Sequence, residues 1–153
     1  MFNFFKGSSK EKYVVKSQHT AEGNGFMVIR REDKQALRWQ SLPVSDGLFS
    51  VNVAGTSHRS TELQDKSFVP GKELLLVREP DNPHDENAIA VFNKASTVQI
   101  GYLPKEAAKR FSKKLQAGEK WSCYSIWEII KKGQRLGLRV LLVAEGTKVK
   151  GLP

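Results

Sequence analysis

The stretch that decides the fold is Leu74-Leu-Leu-Val-Arg-Glu-Pro-Asp-Asn-Pro-His-Asp-Glu-Asn-Ala-Ile-Ala-Val91, near the middle of the chain. Its first residues, 74–77, are continuously apolar, which is typical of a short buried strand. The centre, 79–85, holds two prolines and three Asx residues, which interrupt sheet ladders and helices and favour a turn-rich loop. Apolar residues resume at Ala88 and predict a second strand as far as Phe92.

Strand and helix patterns continue on both sides of this stretch. Before it, Phe49, Val51 and Val53 alternate with Ser50, Asn52 and Ala54, the period-two pattern of a half-buried strand. The elements predicted after it are a helix at 104–117 and strands at 98–102, 121–130 and 136–144. This order favours a mainly β fold: a small six-stranded, OB-like β-barrel, closed or nearly closed, with one packed α-helix.

The N-terminal part of the chain is predicted to be a short extension of this barrel. Lys6–Gly25 is rich in Gly, Ser, Lys and Glu, has few large apolar groups, and predicts a mobile leader. Phe26–Arg31 predicts a strand that pairs back with 37–42 as a β-hairpin. The predicted division is a leader with this hairpin at 1–47, the barrel domain at 48–146, and a tail at 147–153.

The charge of the chain favours a polyanionic partner. Its 25 Lys and Arg residues exceed its 16 Asp and Glu residues, for a net charge of +9. Residues 104–139 alone carry 10 basic and 3 acidic groups. A basic surface of this kind favours nucleic acid as the partner, with an anionic membrane surface as the second choice.

Other features exclude several classes of protein. The single cysteine, Cys123, rules out an internal disulfide framework and a cysteine-based zinc cluster. No apolar run approaches the roughly 18 residues of a transmembrane helix. Met1–Lys6 is too short for a signal-peptide core, although its phenylalanines leave a weak membrane or partner anchor open. We therefore expect a cytoplasmic protein with no membrane span, no metal and no cofactor.

Three segments together resemble the HIRAN domain family. They are Val53-Ala-Gly-Thr56, the 74–91 stretch, and Gln99-Ile-Gly-Tyr-Leu-Pro104 followed by a helix. The resemblance covers about 48–143, and the run from Arg78 to Val91 is long and unusual. It implies a six-stranded OB-like barrel flanked by a helix.

The resemblance also implies a function, namely binding of single-stranded DNA at a free 3′-hydroxyl end, in DNA repair or replication-fork processing. Family members occur in front of helicase-like DNA translocases and as short free-standing bacterial proteins, so a DNA-processing protein is a further expected partner. The sequence contains no Gly-x-x-x-x-Gly-Lys-Ser/Thr phosphate loop, and 153 residues leave no room for a motor. The chain is therefore predicted to be a binding module and not an enzyme.

Candidate binding residues lie first in the 79–87 loop. Asp85 is the candidate for sensing the end, because a carboxylate accepts a hydrogen bond from a 3′-hydroxyl and repels an internal phosphodiester. His84 stands where the family usually has an aromatic residue, often Tyr, and predicts weaker stacking on a base. Asn82 is the third candidate. Equally, these Asx residues can simply form the turns that shape the loop.

A second group of candidates, Ser57, His58 and Arg59, follows the first barrel strand, where family members place residues lining the DNA groove. Ser57 and His58 are suited to a sugar or base, and Arg59 to a phosphate or to stacking. Translocase members tend to have an Arg and two aromatic residues here, so all three positions depart from the family. The alternative is a solvated loop.

Tyr102 and Lys105 complete the predicted DNA-binding set. Tyr102 ends a strand beside the start of the helix, so its ring either lines the pocket or belongs to the core. Lys105, in the first helical turn, is suited to a phosphate or is simply a solvated lysine. Three further basic residues are predicted at a hairpin tip, namely Lys131, Lys132 and Arg135. Their charges either extend the phosphate track, the row of basic groups that contact DNA phosphates, or are simply solvated. The large aromatic residues assigned to the core or the barrel faces are Phe111, Trp121 and Trp127.

Two other functions compete with DNA binding. A protein-interaction or targeting domain would use the basic 104–139 segment to meet an acidic partner. A hydrolase or metal site would centre on His84, Asp85 and Glu86, but His19 and His58 lie at no ligand spacing with them. No Ser-His-Asp or Cys-His pattern has a recognisable context. The hydrolase is therefore the last of the three hypotheses.

Overall fold

The computed structural model describes residues 11–152, and within them it contains ten strands and one α-helix. The helix, α1, is Lys105–Gln116. No helix in this range is long and apolar enough to cross a membrane. The strands are β1 Tyr13–Thr20, β2 Gly23–Arg30, β3 Gln35–Ala36, β4 Leu48–Asn52, β5 Glu73–Arg78, β6 Ile89–Asn93, β7 Gln99–Tyr102, β8 Trp121–Lys131, β9 Gln134–Ala144 and β10 Val149–Lys150.

Strands β4 to β9 form a nearly closed barrel. Around it β4 pairs with β9, β9 with β8, β8 with β5, β5 with β6, and β6 with β7, all antiparallel. The circuit returns to the chain just after β4 through one bridge between Ala54 and Tyr102. The sheet is otherwise open there. The predicted fold class, mainly β and OB-like with one packed helix, is confirmed.

The interior of the barrel is apolar and is covered by α1. The helix buries Ala107, Ala108 and Phe111 on one face, as its sequence pattern predicts. The Phe111 ring lies with its centroid 5.0 Å from that of Phe49 and 4.9 Å from that of Trp121. Each large side chain buried in this way contributes about 1.5–3 kcal/mol, so the helix is a structural part of the barrel.

Strand β4 is covered on both faces, whereas its alternation predicted a half-buried strand. Phe49 and Val51 pack against the barrel interior. On the opposite face Leu48 is fully buried, and Ser50 Oγ donates to Val140 O at 2.9 Å. A second apolar cluster covers this face, and it includes Tyr13 and other residues of the N-terminal segment.

The prediction of a mobile leader at Lys6–Gly25 is wrong for its described part. Strand β1 pairs along its whole length with β2, from Tyr13 opposite Arg30 to Thr20 opposite Gly23. Tyr13 and Val15 provide the few apolar contacts that hold β1 on the second cluster, while residues 16–20 stay exposed. Residues 6–10 of the predicted leader, and the apolar tip Met1–Lys6, lie outside the described residues.

The prediction of a hairpin between 26–31 and 37–42 is wrong about the partner strand. The strand at 26–31 exists as β2, but β1 is its long partner, and β3 contributes only Gln35 and Ala36 opposite Arg30 and Ile29. Residues Trp39–Ser41 form a 3₁₀ turn instead of a strand. Trp39, in this turn, packs against the second cluster.

The C-terminal segment returns to the N-terminal hairpin. Strand β10 pairs in parallel with β1, with Val149 opposite Tyr13. The Tyr13 hydroxyl donates to Asp46 Oδ2 at 2.5 Å, next to the start of β4. These contacts join the first and last described segments to the barrel. The division of the chain at 47 and 146 stays a prediction.

Candidate functional site

The 79–87 loop is shaped by hydrogen bonds between residues that are close in sequence. Asn82 Oδ1 accepts from the backbone N–H of His84 at 2.9 Å and of Asp85 at 3.1 Å. Asp85 Oδ1 accepts from the N–H of Asn87 at 2.9 Å. These are Asx turns, which fix a loop that two prolines keep out of regular structure. The turn-forming role considered for Asn82 and Asp85 is therefore present in the structure.

A shared carboxylate connects this loop to the end of β7. Glu79 Oε1 accepts from Asn82 Nδ2 at 3.0 Å and from the Tyr102 hydroxyl at 3.1 Å. Within residues 11–152 no donor contacts the second oxygen, Glu79 Oε2. Sequence reasoning did not select Glu79, although a carboxylate that directly follows a predicted strand and stands three residues before an Asx residue was a usable signal.

The end of β7 also approaches the segment after β4. Ala54 N–H donates to Tyr102 O at 2.8 Å, and Tyr102 N–H donates to Ala54 O at 3.0 Å. A side chain at position 101 would place its Cβ 2.2 Å from Ala54 O, so Gly101 is required for this approach. The contact sets Tyr102 beside the turn that follows Gly55.

The turn after Gly55 carries three of the predicted residues. Thr56–Arg59 is a 3₁₀ turn, in which Ser57 and His58 are exposed and Arg59 is half-buried. His58 N–H donates to Gly55 O at 3.1 Å, which closes the turn and leaves the imidazole in solvent. The side chains of Ser57 and His58 are therefore accessible from solvent, on a turn that follows the backbone pair between Ala54 and Tyr102.

Lys105 follows Tyr102 by three residues and is the first residue of α1. Its side chain is exposed, as are Lys109 and Lys113 at successive four-residue steps along the helix. No salt bridge within residues 11–152 involves these three lysines. Because residues four apart lie above one another on a helix, the three ammonium groups form one solvated row.

The structure therefore gathers most of the predicted residues on one surface, which we call the mouth: loop 79–87, Tyr102, the 56–59 turn and Lys105. Glu79 joins Asn82 to Tyr102, and Ser112 Oγ of α1 donates to Asn87 Oδ1 at 3.0 Å, which ties the loop to the helix. No hydrogen bond among the described residues joins the side chains of His84 or Asp85 to Tyr102 or Lys105.

The assignment of Arg135 to an exposed hairpin tip is wrong. Its side chain is 8% exposed, and its Nε donates to Glu128 Oε1 at 2.8 Å. Nη1 donates to the carbonyl oxygens of Leu63 and Asp65. Strand β9 starts at residue 134, so Arg135 belongs to the ladder and turns inward. Its charge is neutralised and adds nothing to a phosphate track, whereas Lys131 and Lys132 are exposed.

The remaining assignments concern aromatic residues and metal ligands. Phe111 is fully buried, and Trp121 and Trp127 are partly buried against the two apolar clusters, as expected. Within residues 11–152 no group of three His, Cys, Asp or Glu side chains is arranged to hold a metal ion. Burial raises the pKa of the Cys123 thiol, which disfavours the nucleophilic thiolate.

The barrel, its single helix and the polar mouth define an OB-like β-barrel protein. The HIRAN domain model matches residues 46–143, and the chain belongs to the HIRAN domain family. This membership supports a nucleic-acid-binding domain. No curated protein matches the chain.

Two solved structures resemble the chain. One is a protein from Lactobacillus plantarum, with 23% identity and a TM-score of 0.51, over 62% of this chain and 89% of that one. The other is the HIRAN domain of human HLTF, with 20% identity and a TM-score of 0.48, over 65% of this chain and 77% of that one. The first of these likenesses shows a shared fold.

Proposed function

We propose that this chain is a non-catalytic module that binds single-stranded DNA and recognises a free 3′-hydroxyl end at the mouth. The observation that carries the proposal is the Glu79 carboxylate, which accepts from both Asn82 and Tyr102 and so fixes a polar loop beside a tyrosine ring. A carboxylate whose Oε2 has no donor within residues 11–152 favours a ligand that donates a hydrogen bond.

The chemistry of the loop suits a terminal hydroxyl. Asp85 uses Oδ1 for the Asn87 N–H, and its Oδ2 has no hydrogen-bond partner among the described residues. A 3′-hydroxyl can donate to this oxygen, whereas a phosphate in the same place meets the carboxylates of Asp85 and Glu79. We therefore assign the end-sensing role to Asp85, with Glu79 as the residue that positions the loop.

The rest of the mouth suits the last nucleotides of the strand. Lys105 places a positive charge at the N-terminal end of α1, where backbone N–H groups also favour a phosphate. Arg59 is suited to a second phosphate, and Tyr102 and His84 offer ring faces for bases. Ser57 and His58 are suited to hydrogen bonds with the sugar or a base edge.

The test compares oligonucleotides that end in a 3′-hydroxyl or a 3′-phosphate, measured by fluorescence anisotropy. A generic basic surface binds the phosphorylated strand as well or better, because added negative charge helps it. An end-reading mouth binds the phosphorylated strand about 1–3 kcal/mol more weakly, the usual cost of an unpaired or repelled polar group. Equal binding would contradict end recognition and leave either a general nucleic-acid binder or a binder of an acidic protein partner.

Two variants and one control sharpen this test. Asp85→Asn should reduce the discrimination, because the repelling charge is removed while the Asx turn can still form. Asp81→Asn is the matched control, since Asp81 is exposed in the same loop and makes no hydrogen bond among the described residues. Lys105→Ala should weaken binding of both strands about equally, as a phosphate contact does. Unchanged discrimination in Asp85→Asn would contradict the end-sensing role.

The process that we propose is DNA repair or replication-fork processing, together with a DNA-processing protein, because breaks and stalled forks expose free 3′ ends. Cells that lack the protein should then survive poorly when forks are stalled by a replication inhibitor. Rescue by the wild-type chain and failure of rescue by a variant with Asp85→Asn would support this process. Survival equal to that of normal cells would contradict it.

A further inference from the structure

A groove lies outside the mouth, on the side of the barrel that the N-terminal segment covers. It has a volume of about 470 Å³. Its walls come from β1, β2, the 37–40 segment and β8, so most of it belongs to residues outside the 46–143 family match. Two of the three tryptophans of the chain, Trp39 and Trp127, line it.

The two indoles keep ring area and hydrogen-bond donors available. Both side chains are partly exposed, and neither indole N–H has a hydrogen-bond partner among the described residues. By contrast, Trp121 Nε1 donates to Glu119 Oε1 at 3.0 Å. A Cβ at position 23 would lie 3.0 Å from Trp127 Nε1, so Gly23 allows this indole to lie against β2. The groove is therefore an aromatic surface with free donors.

An arginine without a carboxylate partner adjoins this surface. The Arg139 guanidinium lies 5.5 Å from the centre of the Trp39 ring, and its Nη1 donates to Ser50 Oγ at 3.2 Å. No salt bridge within residues 11–152 involves Arg139, although it is half-buried. Its other N–H groups are available to a phosphate or a base edge, the acceptors that a guanidinium binds best.

Strand β4 runs from the Arg139 side of the groove toward the mouth. Arg139 stands opposite Asn52, the last residue of β4, and Ala54, two residues further, pairs with Tyr102 in the mouth. Since a strand rises about 3.3 Å per residue, Asn52 and Ala54 are about 7 Å apart along the chain. Alternate residues of a strand share a face, so Ser50, Asn52 and Ala54 point to the side on which Arg139 and Trp39 lie.

We propose that a single strand whose 3′ end is held in the mouth continues across the end of β4 into this groove. There its bases stack on Trp39 and Trp127, and Arg139 binds a phosphate. Aromatic platforms beside cationic groups suit single strands of any sequence, because every base has a ring face. The inference rests on the proposed function of the mouth, but it assigns the N-terminal segment a separate role in binding.

The length of the oligonucleotide tests this inference. Strands of roughly four nucleotides occupy the mouth alone, and strands of roughly twelve also reach the groove, within the range that OB folds cover. Wild type should bind the longer strand more tightly, and Trp39→Ala should weaken the longer strand about tenfold, as expected for a lost stacking contact, while leaving the shorter one unchanged. An unaltered length dependence in Trp39→Ala would overturn the inference.

Tryptophan fluorescence provides a second measurement that does not depend on removing a large side chain. The longer strand should quench the emission of wild type, and Trp39→Phe and Trp127→Phe should each reduce this quenching. Trp121→Phe is the matched control, because Trp121 packs edge-on against Phe111 on the first apolar cluster and does not line the groove. Equal quenching in all three variants would overturn the inference, as would quenching by poly-glutamate but not by the strand.

The same variants separate failure of this inference from failure of the proposed function. If the mouth binds DNA but the groove does not, Lys105→Ala weakens strands of both lengths and Trp39→Ala weakens neither. If the mouth does not read the end, 3′-hydroxyl and 3′-phosphate strands bind alike, whatever Trp39→Ala does to the longer strand. Arg139→Gln should follow Trp39→Ala in either case, since both contact the same segment of the strand.

Discussion

Two polar clusters on the barrel are built in opposite ways. The mouth cluster, Glu79, Asn82 and Tyr102, joins residues 3 and 23 positions apart, and all three side chains are partly exposed. The hairpin cluster, Asn24, Gln64, Glu128 and Arg135, joins residues as far as 104 positions apart. In it the Arg135 and Glu128 side chains are only 8% and 12% exposed.

Because of this difference, the groups of the mouth cluster can exchange their hydrogen-bond partners, whereas those of the hairpin cluster cannot. In the mouth cluster, water or a ligand can replace any protein donor at little cost, because the groups are solvated. In the hairpin cluster, loss of one partner leaves a charge or a carbonyl group buried without compensation. The mouth cluster is therefore suited to binding, whereas the hairpin cluster holds the N-terminal segment, the 60–65 loop and the β8–β9 hairpin together.

The largest expected effect follows from breaking the hairpin cluster. Arg135→Met should lower the free energy of unfolding by about 3 kcal/mol, because Glu128 is left buried without its cation. Chemical denaturation measures this change. Lys131→Met is the matched control in the same hairpin, and since Lys131 is exposed its effect should stay within about 0.5 kcal/mol.

A double variant tests whether the buried charge is the cause. Glu128→Gln added to Arg135→Met removes the uncompensated carboxylate and should recover part of the stability, since the amide can still accept from Asn24. Strictly additive losses in the two single variants would show that packing, and not the ion pair, accounts for the effect.

The next effect concerns the anchor between the N-terminal segment and the start of β4. Burial, and then the hydrogen bond to Asp46, raise the pKa of Tyr13 to about 12. The folded state thus favours the neutral phenol, and this contribution is complete below pH 10 and is lost as the pH rises toward 12. The loss should approach about 2 kcal/mol.

Tyr13→Phe is the control for this pH dependence, because it removes the phenol and leaves every other group of the chain in place. At pH 7 the variant should lose about 1 kcal/mol with the hydrogen bond, and above pH 10 its stability should fall less steeply than that of wild type. Parallel curves for the two proteins between pH 10 and 12 would contradict the role given to Tyr13.

The contrast between the clusters also explains which features could be predicted from the sequence. The strand–loop–strand at 74–92 and the turns of Asn82 and Asp85 were predictable, because their partners lie two or three residues away. The strand order after residue 48 followed from local periodicity for the same reason. Arg135 was assigned to solvent because its carbonyl partner at Leu63 is 72 residues away, and no local pattern shows such a contact.

The N-terminal segment was misjudged for a related reason. Strand β1 buries only Tyr13 and Val15, so its apolar signal is too short to be distinguished from that of a leader. Its stability comes from pairing with β2 and β10 and from the second apolar cluster, all of which are tertiary contacts. Glu79 was missed although it was within the decisive stretch, because its role depends on Tyr102, which another strand brings to it.

A smaller effect is expected from the mouth cluster. Asn82→Ala should lower the free energy of unfolding by about 1 kcal/mol, because its two acceptor contacts shape a loop that water can solvate once they are lost. Asn52→Ala, an exposed asparagine without such contacts, is the matched control. A loss as large as that of Arg135→Met would mean that the mouth cluster is also a structural core.

The smallest effect is expected when the charge of a single lysine is removed. It is measured as a change in the salt dependence of DNA binding. If about three or four basic groups contact phosphates, the logarithm of the affinity for single strands falls against the logarithm of salt concentration with a slope of about −2 to −3. Lys105→Ala should reduce the magnitude of this slope by about 0.7, the value of one contact. Lys148→Ala should leave this slope unchanged, because Lys148 is exposed and follows Thr147, which bonds to Asp46 O near the start of β4 and away from the mouth.

The salt dependence of the affinity is also compared for Arg135→Met, under conditions in which this variant is still folded. Arg135 is one of the basic residues of the 104–139 segment, but Glu128 already neutralises it, so no counterion is released when DNA binds and the slope should stay at the wild-type value. Lys105 has no such partner, and its removal should be measurable. If the two variants changed the slope equally, this result would contradict the distinction between a solvated binding cluster and a buried structural cluster. A slope near zero in wild type would instead exclude nucleic acid as the ligand.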